Sequence, residues 1–179
     1  TLSENNISQI GLESGVEGLI KIINSNKTSN NIVSNYTKVV FKNRLDILLG
    51  LKTKIFEEHE KSLMLYKDLL NAANKYYDMV FVDVSKTLQR DTTRAILDNS
   101  HIIMYTMPQN MKLIEEYLIA MKSQNILQKG NVLPLLANSN EASKYNVNNV
   151  TKYIGERGKI CCVPHSFQFM EAASEAGVA

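Results

Sequence analysis

The chain has 179 residues, 44% of them hydrophobic, with 20 basic and 18 acidic side chains and a formal net charge of +2. That length and composition suit one domain with a real core, and so mild a charge gives no argument for nucleic acid by itself. The two cysteines, Cys161 and Cys162, are neighbours, which excludes a disulfide framework and a spaced metal site and fits a reducing compartment.

No apolar run approaches the roughly 20 residues of a membrane span, and the first residues lack the basic and apolar regions of a signal peptide. We therefore expect a cytoplasmic protein without a transmembrane segment. In chain order, Val16, Leu19, Ile20 and Ile23 form the stripe of an amphipathic helix. Residues 24–35 are polar and read as a loop, and Leu45–Leu49, closed by Gly50, as a short strand. His59, Leu63, Tyr66, Leu70 and Ala73 predict a helix over 57–74. The segment 77–84, YDMVFVDV, has the strongest strand composition in the chain. A helix follows over 87–97, then a strand over 102–107 ended by Pro108.

Met111, Ile114, Tyr117, Leu118 and Met121 stripe the next helix, and 131–137, NVLPLLA, is a strand. Val147, Val150 and Ile154 mark a helix expected to stop at Gly158, followed by a strand over 159–163 and a last helix over 167–176. Alternation of strand and helix argues for βαβ units. Strands that are apolar throughout fit a parallel sheet covered on both faces. The expectation is a single α/β domain over 1–179: three layers, a mostly parallel sheet with helices on both faces.

Ligands of open α/β sheets bind beyond the carboxyl ends of the strands, so residues there are the candidates. Asp83 ends the 77–84 strand, where an aspartate can hold Mg²⁺ beside phosphates; capping the next helix is its ordinary alternative. Asn138 ends the NVLPLLA strand with an amide that offers a donor and an acceptor to a purine edge. Its alternative is a turn residue, whose loss shifts stability by no more than about 0.5 kcal/mol. His165 and Ser166 read as a polar loop with Ser166 capping the last helix, since no G-x-S-x-G elbow exists. Cys161 and Cys162 read as buried, inert thiols. Lys144, Lys152, Arg157 and Lys159 read as a solvated face. No G-x-x-x-x-G-K-[ST] or G-x-G-x-x-G loop occurs.

Taken together, these edges resemble the ParA/MinD group of P-loop ATPases, including relatives of the TadZ/CpaE type. The matching segments are YDMVFVDVSKTLQRDTTRAILDNSH (77–101), NVLPLLANSNEASKYN (131–146) and KICCVPHSFQFMEAASEAGVA (159–179), with GLESGVEGLIKII (11–23) and RLDILLG (44–50) between the family's switch regions. The resemblance implies a P-loop NTPase-like fold of which this chain is the C-terminal part, after switch I. It implies that Asp83 is the switch II aspartate on Mg²⁺, that Asn138 reads adenine, and that Pro164 lies in the loop over the base. It further implies an ATP-bound homodimer that positions or partitions DNA, a pilus or another cargo. The P-loop and its lysine would lie ahead of Thr1, so this chain by itself is expected to bind ATP and Mg²⁺ weakly or not at all and not to hydrolyse ATP. Val84-Ser85-Lys86 stand where the family carries prolines or glycines, which opens the alternative of a non-hydrolysing scaffold of the same fold, a TadZ-like localisation protein.

Overall fold

The structure, a computed structural model, describes residues 15, 16, 18, 19, 22, 32–50, 60–84, 91–155 and 160–176. They fall into two compact units, Glu4–Asn99 and Ser100–Ala179.

In the first unit Val16 and Leu19 are helical and buried, as their spacing predicts, and pack with Ile32, Val33, Leu69 and Ala73. Strands β1 (Lys38–Phe41) and β2 (Leu45–Ile47) form an antiparallel hairpin. Asn43 turns it at φ +58°, a left-handed conformation that asparagine tolerates better than most residues. Helix α1 (Glu60–Tyr76) packs against α2 (Asp91–Asp98), with Thr93, Ile96 and Leu97 buried on α2.

One expectation fails here. The segment 77–84 is not a strand and joins no ladder. Its apolar residues divide instead: Tyr77 and Val80 lie against the core, while Met79 and Phe81 are 71% and 74% exposed. The Tyr77 amide prolongs α1 by donating to the Ala73 carbonyl, and its hydroxyl donates to Asp46 Oδ2 at 2.7 Å. Apolar composition signals a wish for burial, but a strand exists only where a partner supplies its hydrogen bonds.

The second unit is a three-stranded parallel sheet flanked by helices, in the order β3 (Ile103–Pro108), β4 (Val132–Ser139), β5 (Cys161–Pro164). Helix α3 (Met111–Ser123) connects β3 to β4, α4 (Val147–Ile154) connects β4 to β5, and α5 (Phe167–Ala176) follows. Each middle helix begins where the sequence offers an asparagine cap: Asn110 Oδ1 accepts from the Lys112 amide, and Asn146 Oδ1 from the Asn149 amide. Gly155, at φ +93°, ends α4 in the role expected of Gly158, which lies outside the described residues.

The core joins Met107 and Leu136 of the sheet to Ile114, Tyr117 and Val150 of the helices. Full burial of such a side chain stabilises by about 1.5–3 kcal/mol. Tyr105 and Tyr117 meet edge to face at 5.0 Å. Along β3 burial alternates, with Ile103 and Met107 buried and Met104 half exposed between them. All four residues of β5 are exposed. The expectation of buried cysteines is therefore corrected: Cys161 and Cys162 are both exposed, because the described residues leave both faces of their strand open. Lys144 and Lys152 are exposed as expected, while Arg157 and Lys159 lie outside the described residues.

Candidate functional site

Because β3, β4 and β5 run parallel, Pro108, Ser139 and Pro164 bring their carboxyl ends to one edge. The loop beyond β4 is pinned there by its own polar side chains. Asn140 Oδ1 accepts from the Ala142 amide at 2.9 Å, and Ser143 Oγ from the Tyr145 amide at 3.1 Å. Gln109, just past β3, clasps the same loop. Its Nε2 donates to the carbonyls of Asn140 and Tyr145 at 2.9 and 3.2 Å, and its Oε1 accepts from the Asn140 amide at 2.8 Å.

Asn138 occupies an irregular place in this edge. The β4–β5 register pairs Leu136 with Cys162 and then Ser139 with Pro164, three steps on β4 against two on β5. The additional residue makes a bulge, a feature that re-aims side chains and is frequent beside binding sites. Asn138 sits in it at φ +56°. By strand alternation it would share the buried face of Pro134 and Leu136, yet it is exposed. Its Oδ1 lies 2.5 Å from His165 Nδ1. Beyond the bulge the pairing resumes, with the His165 amide donating to the Ser139 carbonyl at 2.9 Å.

His165 stands edge to face with Phe167, ring centroids 4.6 Å apart at 88°. Ser166 Oγ accepts from the Phe169 amide at the start of α5, the capping role expected of it. Together Asn138, Ser139, Asn140, Glu141, His165 and Phe167 line an open depression of about 550 Å³. The lining supplies two amides, a hydroxyl, a ring nitrogen, an aromatic face and one carboxylate. None of the six is lysine or arginine. Such a surface suits a flat, hydrogen-bonding ring better than a phosphate group, which calls for cationic partners or backbone N–H groups.

Of the residues singled out by sequence, Asn138 and Pro164 meet at this edge, with Pro164 exposed opposite Ser139. Asp83 is exposed and belongs to the Glu4–Asn99 unit. No group of three or more histidine, cysteine, aspartate or glutamate side chains placed to hold a metal occurs among the described residues. No helix among them is long and apolar enough to cross a membrane. From sequence alone, Gln109 and His165 stand out only as residues just past a strand, in 108–110 and 164–166, His165 reads as part of a polar loop, and Phe167 has no role beyond starting the last helix. Comparison with protein-family models, curated proteins and solved structures finds no match for this chain.

Proposed function

We propose that the Ser100–Ala179 unit is the base-binding part of a ParA/MinD-like ATPase domain, taking adenine in the depression beyond β4 and β5. The observation that carries the reading is Asn138, whose amide is re-aimed by a bulge near the end of β4 and lines the same depression as Phe167, with its NH₂ unpartnered among the described residues. Adenine presents a donor at N6 beside an acceptor at N7, and a side-chain amide matches both in one plane. Pro164 borders the same edge.

The described residues fit the base and not the remainder of the nucleotide. The lining carries no lysine or arginine, and Asp83 is a single exposed carboxylate in the other unit. Magnesium is usually held by one or two carboxylates together with substrate phosphates. Asp83 stays the proposed Mg²⁺ ligand of a parent domain that carries a P-loop, and no hydrolytic step follows from these residues alone. In that parent the activity would be ATP-dependent dimerisation in the cytoplasm, relayed by switch loops to DNA, a pilus or another cargo. A second reading, a scaffold that kept the fold and lost hydrolysis, draws support from Val84-Ser85-Lys86 after the switch aspartate.

The test is equilibrium competition between ATP and GTP on the wild-type chain and on Asn138→Asp. The variant keeps the left-handed backbone and an acceptor but loses the NH₂ donor. The expected outcome is a preference for ATP that Asn138→Asp lowers about ten- to hundredfold. Equal affinity for the two nucleotides in both proteins would contradict the reading.

A further inference from the structure

We infer that His165 is the positioning and specificity-determining residue of this site. The inference rests on the adenine-binding proposal for its ligand, but its structural half stands on the contact itself. Asn138 Oδ1 has no hydrogen to give, so the hydrogen between it and His165 Nδ1 belongs to the ring. The setting we infer is Nδ1–H on His165, which leaves a lone pair on Nε2 of the neutral ring.

The consequence for Asn138 is that its orientation is chosen. The amide oxygen is turned to the histidine, and the NH₂ group, which has no partner among the described residues, is left to donate. If the amide turned over, its NH₂ would need an acceptor at Nδ1, and the ring hydrogen would have to sit on Nε2. The two settings are linked. In the inferred one the pair presents one donor, Asn138 NH₂, beside acceptors, His165 Nε2 and the remaining lone pair of Asn138 Oδ1. An adenine edge complements that set, with N7 accepting and N6 donating. A guanine edge, with acceptors at both N7 and O6, leaves an acceptor facing an acceptor.

Three features keep the ring in this setting. Its backbone amide is tied to the Ser139 carbonyl across the bulge at 2.9 Å. Its edge rests on Phe167 at 4.6 Å. Among the described residues, its Nδ1 is within hydrogen-bond reach of one side chain, Asn138. A merely structural histidine would not need a defined tautomer facing Asn138.

The experiment combines two measurements on the full chain. Long-range proton–nitrogen NMR on the ligand-free protein reads the His165 tautomer, expected as Nδ1–H; an Nε2–H ring overturns the positioning role. Competition between ATP and GTP is then measured for wild type, His165→Phe and His165→Gln. The wild type should prefer ATP. His165→Phe keeps a ring against Phe167 and should lose most of that preference, about tenfold or more. His165→Gln restores an N–H donor toward Asn138 and should recover part of it. Undiminished preference in His165→Phe overturns the inference. If the wild type binds neither nucleotide, the adenine proposal and the ligand half of the inference fall together, and the tautomer decides the positioning role by itself.

Discussion

At Asn138 backbone and side chain can be tested apart. At φ +56° a residue with a Cβ sits in the left-handed region, which costs roughly 1–2 kcal/mol for most residues and less for asparagine. The side chain adds one hydrogen bond to His165, worth a net 0.5–1.5 kcal/mol or so. Asn138→Ala loses both, and should destabilise the Ser100–Ala179 unit by about 2 kcal/mol. Asn138→Gly loses the bond but adopts positive φ freely, although its greater freedom when unfolded offsets part of that gain. We expect the alanine variant to be the less stable by about 1 kcal/mol, which lowers its melting midpoint by about 4–8 °C relative to glycine. The assay is thermal unfolding of the full chain, followed through the amide signals of Leu135 and Leu136. Coincident melting of the two variants would refute the bulge argument. From sequence alone, substitution at Asn138 is expected to shift stability by no more than about 0.5 kcal/mol; the positive φ and the bond to His165 argue for the larger effect.

Three further outcomes follow from the same coordinates. Gln109→Ala removes three hydrogen bonds to the 140–145 loop and should cost about 1–2 kcal/mol, with faster amide exchange at Asn140; unchanged exchange there would show that the clasp is idle. Burial, followed by the hydrogen bond and charge of Asp46 and opposed by the bond with Thr37, raises the Tyr77 hydroxyl above its ordinary value of 10.0. The protonated form is thus favoured in the folded state, so its contribution is whole below the unfolded value and is lost as pH rises from there through the folded one. Denaturant midpoints of the Glu4–Asn99 unit should therefore fall on the alkaline side of pH 10 or so and fall less steeply in Tyr77→Phe; an equal slope in the variant would count against the network. Cys161 and Cys162, exposed on the sheet edge, should react with a thiol reagent in native buffer without denaturant, and protection of both until unfolding would contradict their placement on β5.

Much of the second unit is legible in the sequence because its elements meet rules that act locally. Ile114, Tyr117, Leu118 and Met121 repeat at helical spacing, and the structure turns that stripe toward Met107 and Leu136. Pro108 and Pro164 stop strands where expected. What escapes depends on partners. The segment 77–84 has the composition of a strand, but pairing decides, and Tyr77 is drawn instead to Asp46. The β1–β2 hairpin is half legible: the sequence predicts a strand over Leu45–Leu49, but four residues, Lys38–Phe41, are too short a run to mark its partner across the turn at Asn43. The exposure of Cys161 and Cys162 escapes because an apolar strand does not reveal whether its faces are covered. The position of Asn138 at the ligand edge was legible, but its bulge was not, since register belongs to the β4–β5 pair and to neither strand by itself. His165 became visible as a site residue only through that bulge.

The central claim is that the depression at Asn138 binds adenine. The most direct measurement is a proton–nitrogen correlation spectrum of the full chain titrated with ATP and, separately, GTP, observing the Asn138 side-chain NH₂ and the amides of Ser139, Asn140 and His165. ATP should shift these signals, with the Asn138 NH₂ moving most, and GTP should shift them less at equal concentration. Signals at Asn138 and His165 that stay still with ATP up to millimolar concentration would contradict it.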